Sequence, residues 1–266
     1  MRHVIGDIDV EYTMAGATGT DAVPVVFIHG LAEDRRSWSS ILPSMADDRL
    51  YAYDLRGHGG TTVGDADGTL AQLGGDLIGF LEQVSGPAVV VGFSLGGAVA
   101  LWAAAHRRDL MSKVIVLGTS SIVGRGAADF YATRIAQARD TSSTEFRAGM
   151  RDDTAAAIIT ATDRIDEITQ IRLDAVGDGR GYVNAARAMA SLRLEPLTPA
   201  LADIALHVDV VGAAADAFCP VKAAQIILDA LGDSTYYEVP AAGHLMNVDN
   251  PTAVTSVLQT ILFGKD

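Results

Sequence analysis

The sequence is poor in the residues that cross-link small proteins. It contains one cysteine, Cys219, in 266 residues, which excludes an internal disulfide framework and any zinc site built from several cysteines. Aromatic residues make up only 6% of the chain, although 49% of it is hydrophobic and 20% is charged. This composition is typical of a globular protein. A chain of this length buries enough apolar surface to fold without a disulfide or a structural metal.

Positive charge is also scarce: the chain has 20 Lys and Arg residues but 33 Asp and Glu residues, which gives a formal net charge of −13. Such a surface repels phosphate groups, so we expect neither a nucleic acid nor a membrane as partner. No apolar run is long enough to span a membrane, and residues 1–10 lack the apolar core of a signal peptide. We therefore expect a cytoplasmic protein that acts on a small molecule. Its oligomeric state stays open.

Short apolar runs alternate with stretches of helical spacing along most of the chain. A β-hairpin is predicted from residues 3–5 and 8–14, around Gly6 and Asp7. Further strands are predicted at 25–28, 50–54, 89–93, 113–117, 208–211 and 236–239, and helices at 37–46, 69–84, 95–107, 220–231 and 251–263. Continuous apolar strands that alternate with helices favour an α/β fold, with a mostly parallel central sheet flanked by helices.

The alternation is interrupted between residues 124 and 199. This segment is rich in Ala, Arg and Asp, contains no clear strand, and spaces Phe130, Ile135 and Ala138 as a helix would. We interpret it as a helical cap inserted into a core formed by residues 1–123 and 200–266. The alternative is a group of long helical connections without a separate function.

The most specific motif is Gly92-Phe93-Ser94-Leu95-Gly96-Gly97, which follows a predicted strand and precedes a predicted helix. Glycines on both sides of a serine permit a tight strand-to-helix turn that exposes the hydroxyl at the edge of the sheet. We interpret Ser94 as a nucleophile. The alternative is a glycine-rich turn that only packs.

A serine nucleophile requires a general base and an acid that orients the base. His244 follows the last predicted strand, in a loop at the same edge of the sheet as Ser94. Asp216 is the only acid in the loop after strand 208–211. The order Ser94, Asp216, His244 matches the order of catalytic residues in this architecture, so we predict these three as the catalytic residues.

Together with His29-Gly30 and Asp54-Leu55-Arg56-Gly57-His58-Gly59, these motifs resemble those of the α/β-hydrolase superfamily, in its capped, serine-dependent branch of esterases and lactonases. The resemblance covers nearly the whole chain and implies the α/β-hydrolase fold with a helical cap. It also implies that the backbone N–H groups of Leu31 and Leu95 form the oxyanion hole. His29, Asp54, Arg56 and His58 are then expected to have structural roles.

The residues that line the substrate pocket are less well defined by the sequence. We predict a contribution from apolar side chains near the motifs and in the cap, although such residues more often belong to a core. The candidates are Trp38, Phe93, Phe130, Tyr131 and Met246, with Met189 as a further cap residue. Cys219 is expected to be a small buried apolar residue.

The expected activity is hydrolysis of a small, largely apolar carboxylic ester or lactone through an acyl-enzyme on Ser94, with neither a metal nor an organic cofactor. A serine in this position argues against dehalogenases and epoxide hydrolases, which carry aspartate there, and Leu245 argues against hydroxynitrile lyases, which carry lysine. A carbon–carbon bond hydrolase or a cofactor-free lyase with the same triad is the nearest alternative. Perhydrolysis as a side reaction, a ligand receptor with a vestigial triad, and a scaffold protein also stay open.

Overall fold

A computed structural model describes residues 1–16, 23–45 and 48–264 of the chain. The strands in this part are β1 (Arg2–Ile5), β2 (Ile8–Gly16), β3 (Val25–Ile28), β4 (Arg49–Tyr53), β5 (Ala88–Phe93), β6 (Met111–Leu117), β7 (Val208–Ala213) and β8 (Ser234–Val239). The helices are α1 (Leu70–Phe80), α2 (Leu95–His106), α3 (Arg125–Gln137), α4 (Thr144–Ala157), α5 (Ile165–Val176), α6 (Arg180–Ser191), α7 (Val221–Ala230), α8 (Met246–Asp249) and α9 (Pro251–Phe263).

The strands form one sheet in the order β1-β2-β4-β3-β5-β6-β7-β8. β2 pairs antiparallel with β1 and with β4, and every other neighbouring pair is parallel. The predicted α/β class with a mostly parallel sheet is therefore confirmed. The chain continues from β3 to one side of the sheet and from β5 to the other, which makes the carboxyl ends of β3 and β5 a topological switch point. Ligands of open α/β sheets bind at such points.

The strand sequences explain why both faces of the sheet are covered. Alternate residues of a strand point to opposite faces, and here both sets are apolar. Val26 and Val90 pack in a cluster with α1 and α2 on one face, while Phe27 and Val91 pack with α9 on the other. The four side chains are fully buried, so the sheet is a rigid base for the loops at its edge.

The structure corrects one predicted helix. Residues 37–46 do not form an α-helix: two short 3₁₀ turns, Arg35–Trp38 and Leu42–Met45, take its place, and residue 46 lies outside the described residues. Pro43 explains the difference, because it has no N–H to donate to the preceding turn and disfavours helical geometry in the residue before it. The predicted helix 69–84 is α1 followed by a π-helical turn, Leu81–Ser85.

Between β6 and β7 the chain forms α3 to α6, which we call the helical insertion (residues 124–199). Within it, Arg134 of α3 binds Asp153 of α4 through two hydrogen bonds of 2.7 and 2.8 Å. Phe146 of α4 packs edge-on against Tyr182 of α6, with ring centroids 5.7 Å apart. α3 has no fully buried residue, although it carries Phe130 and Tyr131. Its apolar face therefore borders a hollow instead of a packed core.

Candidate active site

Ser94 occupies the sharp turn between β5 and α2, with backbone angles φ 51° and ψ −114°. A positive φ is unfavourable for a residue other than glycine, so the surroundings must enforce it. The Ser94 N–H donates to the Leu117 carbonyl at 2.8 Å, and Thr119 Oγ1 donates to the Ser94 carbonyl at 2.7 Å. A Cβ at Gly92 would lie 2.3 Å from the Gly96 carbonyl oxygen, so the turn closes only when glycine is present.

The structure brings the three predicted catalytic side chains together. Ser94 Oγ lies 3.0 Å from His244 Nε2, and His244 Nδ1 lies 2.8 Å from Asp216 Oδ2. A carboxylate only accepts hydrogen bonds, so Nδ1 carries the imidazole proton and Nε2 is left to accept the proton of Ser94. The arrangement can activate the serine hydroxyl for attack on an electrophilic carbon.

Asp216 is held ionised in this cluster although it is only 6% exposed. Burial alone would raise the pKa of Asp216, but hydrogen bonding to His244, the charge of His244, and the N–H groups of Cys219 and Phe218 hold that pKa below its ordinary value. The two N–H groups donate to Oδ1 at 2.7 and 2.8 Å. Oδ2 is therefore left for the imidazole, and Asp216 is fixed in place relative to His244.

Asp249 organises the loop that carries His244, although the sequence analysis did not single it out. Its carboxylate accepts from Gly243 N–H at 2.8 Å, inside the loop. It also accepts from the N–H groups of Ile159, Thr160 and Ala161 at 2.8 to 3.0 Å. The histidine loop is thus hydrogen-bonded to the segment that follows α4, and the position of His244 depends on the helical insertion.

The loop after β3 lies directly against the elbow. A Cβ at Gly30 would lie 3.2 Å from Ser94 Cβ, and one at Gly96 would lie 2.6 Å from the Ile28 carbonyl oxygen. Among the described residues, the backbone N–H groups of Leu31 and Leu95 donate to no acceptor. Two unpaired donors that flank a serine can stabilise negative charge on a neighbouring oxygen.

Glu33 stabilises the loop after β3 by a hydrogen bond, and the sequence analysis did not single it out. Its Oε2 accepts from Gly30 N–H at 3.0 Å, and its Oε1 lies 3.3 Å from Asn247 Nδ2. Burial raises the pKa of Glu33, and the Gly30 hydrogen bond and the positive charges of Arg172 and His244 only partly oppose that rise. Glu33 joins the loop after β3 to α8, next to the histidine loop.

The other polar residues of the motifs make structural contacts. His29 binds the Gly30 carbonyl through Nδ1 at 2.8 Å and accepts from Leu55 N–H through Nε2 at 2.9 Å. Asp54 accepts from Arg35 N–H at 2.7 Å and from Gly60 N–H at 2.9 Å. In the same region Arg56 forms ion pairs with Asp7 and Asp76, and the buried His58 contacts the Arg56 carbonyl. None of these contacts involves Ser94.

A cavity of about 660 Å³ lies between the core loops and the helical insertion, and Ser94 and His244 line it. The predicted pocket residues Phe93, Phe130, Tyr131 and Met189 also line it, as do the predicted oxyanion residue Leu31 and several residues that sequence reasoning missed. Those missed include Ile122, Asp153, Arg172, Tyr182, Phe218 and Lys222. The Phe93 and Phe218 rings each lie 5.2 Å from the His244 ring, so the reacting end of the cavity is largely apolar.

Three predictions near the cavity are corrected. Trp38 is fully buried beneath the sheet, 5.1 Å from the Phe27 ring, and Met246 is fully buried in the core cluster beside α9. Neither lines the cavity. Both lie close to the motifs in sequence, but their side chains are buried in the core. Cys219, in contrast, is only partly buried and lines the cavity, so it is not the buried residue that the sequence predicts.

In residues 1–16, 23–45 and 48–264, no group of three or more His, Cys, Asp or Glu side chains is arranged to hold a metal ion. In the same ranges, no helix is both long enough and apolar enough to cross a membrane.

A family model identifies the architecture. The model of the alpha/beta hydrolase family matches residues 25–257 of this chain, a range that contains Ser94, Asp216 and His244. The chain belongs to the α/β-hydrolase family. An enol-lactonase from Burkholderia xenovorans LB400 has a similar structure, with a TM-score of 0.87 at 22% identity over 98% of this chain and 99% of that one. At that identity the similarity concerns the fold alone.

Relatives of this α/β-hydrolase include enzymes with different reactions. A pimeloyl-[acyl-carrier protein] methyl ester esterase from Aromatoleum aromaticum is 26% identical over 90% of this chain and 98% of its own length. A 2-hydroxy-6-oxo-6-(2'-aminophenyl)hexa-2,4-dienoic acid hydrolase from Metapseudomonas resinovorans is 25% identical over 92% of this chain and 84% of its own length. Two other relatives are longer proteins, of which the chain spans 44% and 32%. Family and relatives together support hydrolase activity.

Proposed function

We propose that this α/β-hydrolase is a serine hydrolase that cleaves a small carboxylic ester or lactone through an acyl-enzyme on Ser94. The observation that carries the proposal is the hydrogen-bonded series from Ser94 Oγ to His244 at 3.0 Å and from His244 to Asp216 at 2.8 Å. This series opens into an apolar cavity. The similarity to an esterase over 98% of that enzyme's length supports the same reaction class.

In the proposed reaction, His244 Nε2 takes the Ser94 proton as Oγ attacks the carbonyl carbon. The Leu31 and Leu95 N–H groups donate to the oxyanion, and Asp216 stabilises the imidazolium. His244 then gives the proton to the leaving alkoxide, which departs as the alcohol. A water molecule, deprotonated by His244, attacks the acyl-enzyme and releases the acid, so that Ser94 is regenerated.

The helical insertion has the role of a cap in this proposal. The edge of a sheet alone offers a shallow and hydrated surface, and an oxyanion is stabilised best where water is excluded. Phe130, Tyr131 and Met189 supply an apolar wall above Ser94. The division into a core of residues 1–123 and 200–266 and a cap of residues 124–199 is part of the proposal.

Carbon–carbon bond hydrolysis is the second candidate. It is favoured by the similarity to the Metapseudomonas hydrolase, which covers 92% of this chain. The two reactions use the same side chains. In carbon–carbon bond hydrolysis the attacked carbonyl belongs to a ketone, and the leaving group is a carbanion instead of an alkoxide.

A turnover screen separates the candidates. Purified protein is assayed against aryl esters of graded acyl length, lactones and vinylogous diketones, and a serine-directed phosphonate is used to label the nucleophile. We expect hydrolysis of esters or lactones, and a single label on the peptide that carries Ser94. The proposal is wrong if the label appears elsewhere or if Ser94→Ala leaves turnover intact. Turnover of diketones alone selects the second candidate.

A further inference from the structure

Arg172 of α5 lines the same cavity as Ser94. Its Nη1 donates to Thr154 Oγ1 at 2.7 Å, which is the one hydrogen bond its side chain makes to a described residue. Nε is shielded from solvent and has no partner, and no described carboxylate lies within ion-pair distance. A guanidinium group has five N–H donors, so most of its hydrogen-bonding capacity is unused.

Two sets of contacts place Arg172 near the reacting atoms. Thr154 and Ala157 are three residues apart and share a face of α4, and the Ala157 carbonyl accepts from Leu245 N–H at 3.1 Å, next to His244. Arg172 therefore lies about one helical turn from the histidine loop. Independently, Arg172, His244 and Leu245 all line the same cavity.

Besides Arg172, the charged side chains that line the cavity are Asp153 and Lys222, and Lys222 is exposed to solvent. Asp153 is bound by Arg134 through two hydrogen bonds, and Glu33 binds Gly30 and Asn247. Moving a cation out of water costs free energy unless the cation is paired and hydrogen-bonded. The charges of Glu33 and Asp153 act on Arg172 from beyond ion-pair distance. The guanidinium group therefore has no direct carboxylate partner among the described residues, in a cavity that is otherwise mainly apolar.

We infer that Arg172 binds a carboxylate of the substrate, so that the ester or lactone cleaved at Ser94 carries a free carboxylate at a distance from the scissile bond. A carboxylate is planar, and its two oxygens match the paired donors of a guanidinium group. Phe130, Tyr131 and Met189 then contact the apolar chain between the two groups. This inference rests on the proposed function and narrows it to half-esters of short dicarboxylic acids and carboxylate-bearing lactones.

The test compares substrates that differ only in the distal group. The p-nitrophenyl half-esters of dicarboxylic acids with four to eight carbons are assayed beside p-nitrophenyl esters of monocarboxylic acids of equal carbon number. We expect the ratio of kcat/KM, charged over neutral, to exceed about 10 at the best length, since a hydrogen bond to a charged group contributes about tenfold to hundredfold. Arg172→Met lowers this ratio by a similar factor, and Arg172→Lys retains part of the preference.

Arg151→Met is the matched control, because Arg151 is an exposed arginine of α4 that pairs with Asp166 and does not line the cavity. We expect this variant to keep the wild-type ratio. The inference is overturned if the wild type shows no preference at any chain length, or if a folded Arg172→Met keeps the full preference. Should Arg172→Met fail to fold, the wild-type series and Arg172→Lys decide the question.

The same data separate this inference from the proposed function. Wild-type protein that hydrolyses neutral esters, is labelled at Ser94 and shows no preference for a distal carboxylate overturns only the assignment to Arg172. Protein that hydrolyses neither series and is not labelled at Ser94 overturns the proposed function itself.

Discussion

The two sides of the cavity are built on different principles. On the core side, Ser94, Asp216 and His244 lie on loops at strand ends, and each is fixed by hydrogen bonds of 2.7 to 3.0 Å. On the side of the helical insertion, Phe130 and Tyr131 are half-buried side chains that face a hollow, and most donors of Arg172 are unpaired. The first side holds the proposed reacting atoms in place through these hydrogen bonds. The second side leaves a cavity of about 660 Å³ that is open to a small ligand.

The comparison predicts that the core side tolerates least change. Asp216→Asn retains the shape of the side chain but presents an N–H group to His244, so that Nε2 no longer accepts the Ser94 proton. We expect kcat to fall by about 10⁴-fold. Steady-state kinetics on an aryl ester check this, with the exposed Asp203→Asn as a control at the wild-type rate. A loss below tenfold would show that Asp216 does not orient the imidazole.

Changes on the insertion side should alter selectivity more than chemistry. Phe130→Ala, Tyr131→Ala and Met189→Ala each enlarge the cavity, and a methylene-sized change in fit alters discrimination by about 10- to 200-fold. We expect the ranking of esters by kcat/KM to change while a small phosphonate still labels Ser94. Leu194→Ala is the control, because Leu194 lies in the insertion, is 85% exposed and is remote from the cavity. An unchanged ranking in all three variants would place selectivity in the core loops.

The smallest expected effect is on the pH dependence of stability, and it comes from the buried histidines His29 and His58. Burial lowers the pKa of both His29 and His58 to about 4, whereas a histidine in the unfolded chain titrates near 6.5. Between these values the unfolded chain binds more protons, so stability is fully present above about pH 6.5 and is lost as the pH falls toward 4. Near pH 5 each ring contributes about 1.4 kcal/mol per pH unit, which is a tenfold change in the unfolding equilibrium.

Urea unfolding between pH 7 and pH 5 measures this slope. His58→Gln removes one of the two titrating rings, so we expect its free energy of unfolding to depend less steeply on pH than that of the wild type. Equal slopes for His58→Gln and wild type would mean that His58 is not held neutral in the folded protein.

How far sequence predicts this molecule depends on how local each signal is. Strands such as Val25–Ile28 were predictable because four consecutive apolar residues fit a strand that is buried on both faces. Ser94 was predictable because its flanking glycines meet a steric requirement within five residues. The predictions that Trp38 and Met246 line the pocket were wrong because the apolar character of a side chain does not indicate whether it faces a core or a cavity.

The residues that were missed depend on partners distant in the chain. Asp249 contacts N–H groups about 90 residues away, and Glu33 reaches Asn247 across 214 residues. Arg172 was missed because what distinguishes it is a lack of hydrogen-bond partners in the folded protein. Only the folded arrangement displays such features, since no local pattern encodes them.

The order of strands in the sheet has a consequence for biosynthesis. From β5 to β8 each new strand is added beside the preceding one, so the sheet can grow at one edge as the chain leaves the ribosome. Ser94 precedes His244 by 150 residues, which corresponds to about 8–30 s of translation at typical rates. Through that interval the elbow has no histidine beside it. Under the proposed mechanism, the nascent protein cannot activate Ser94 until the loop that follows its last strand has folded.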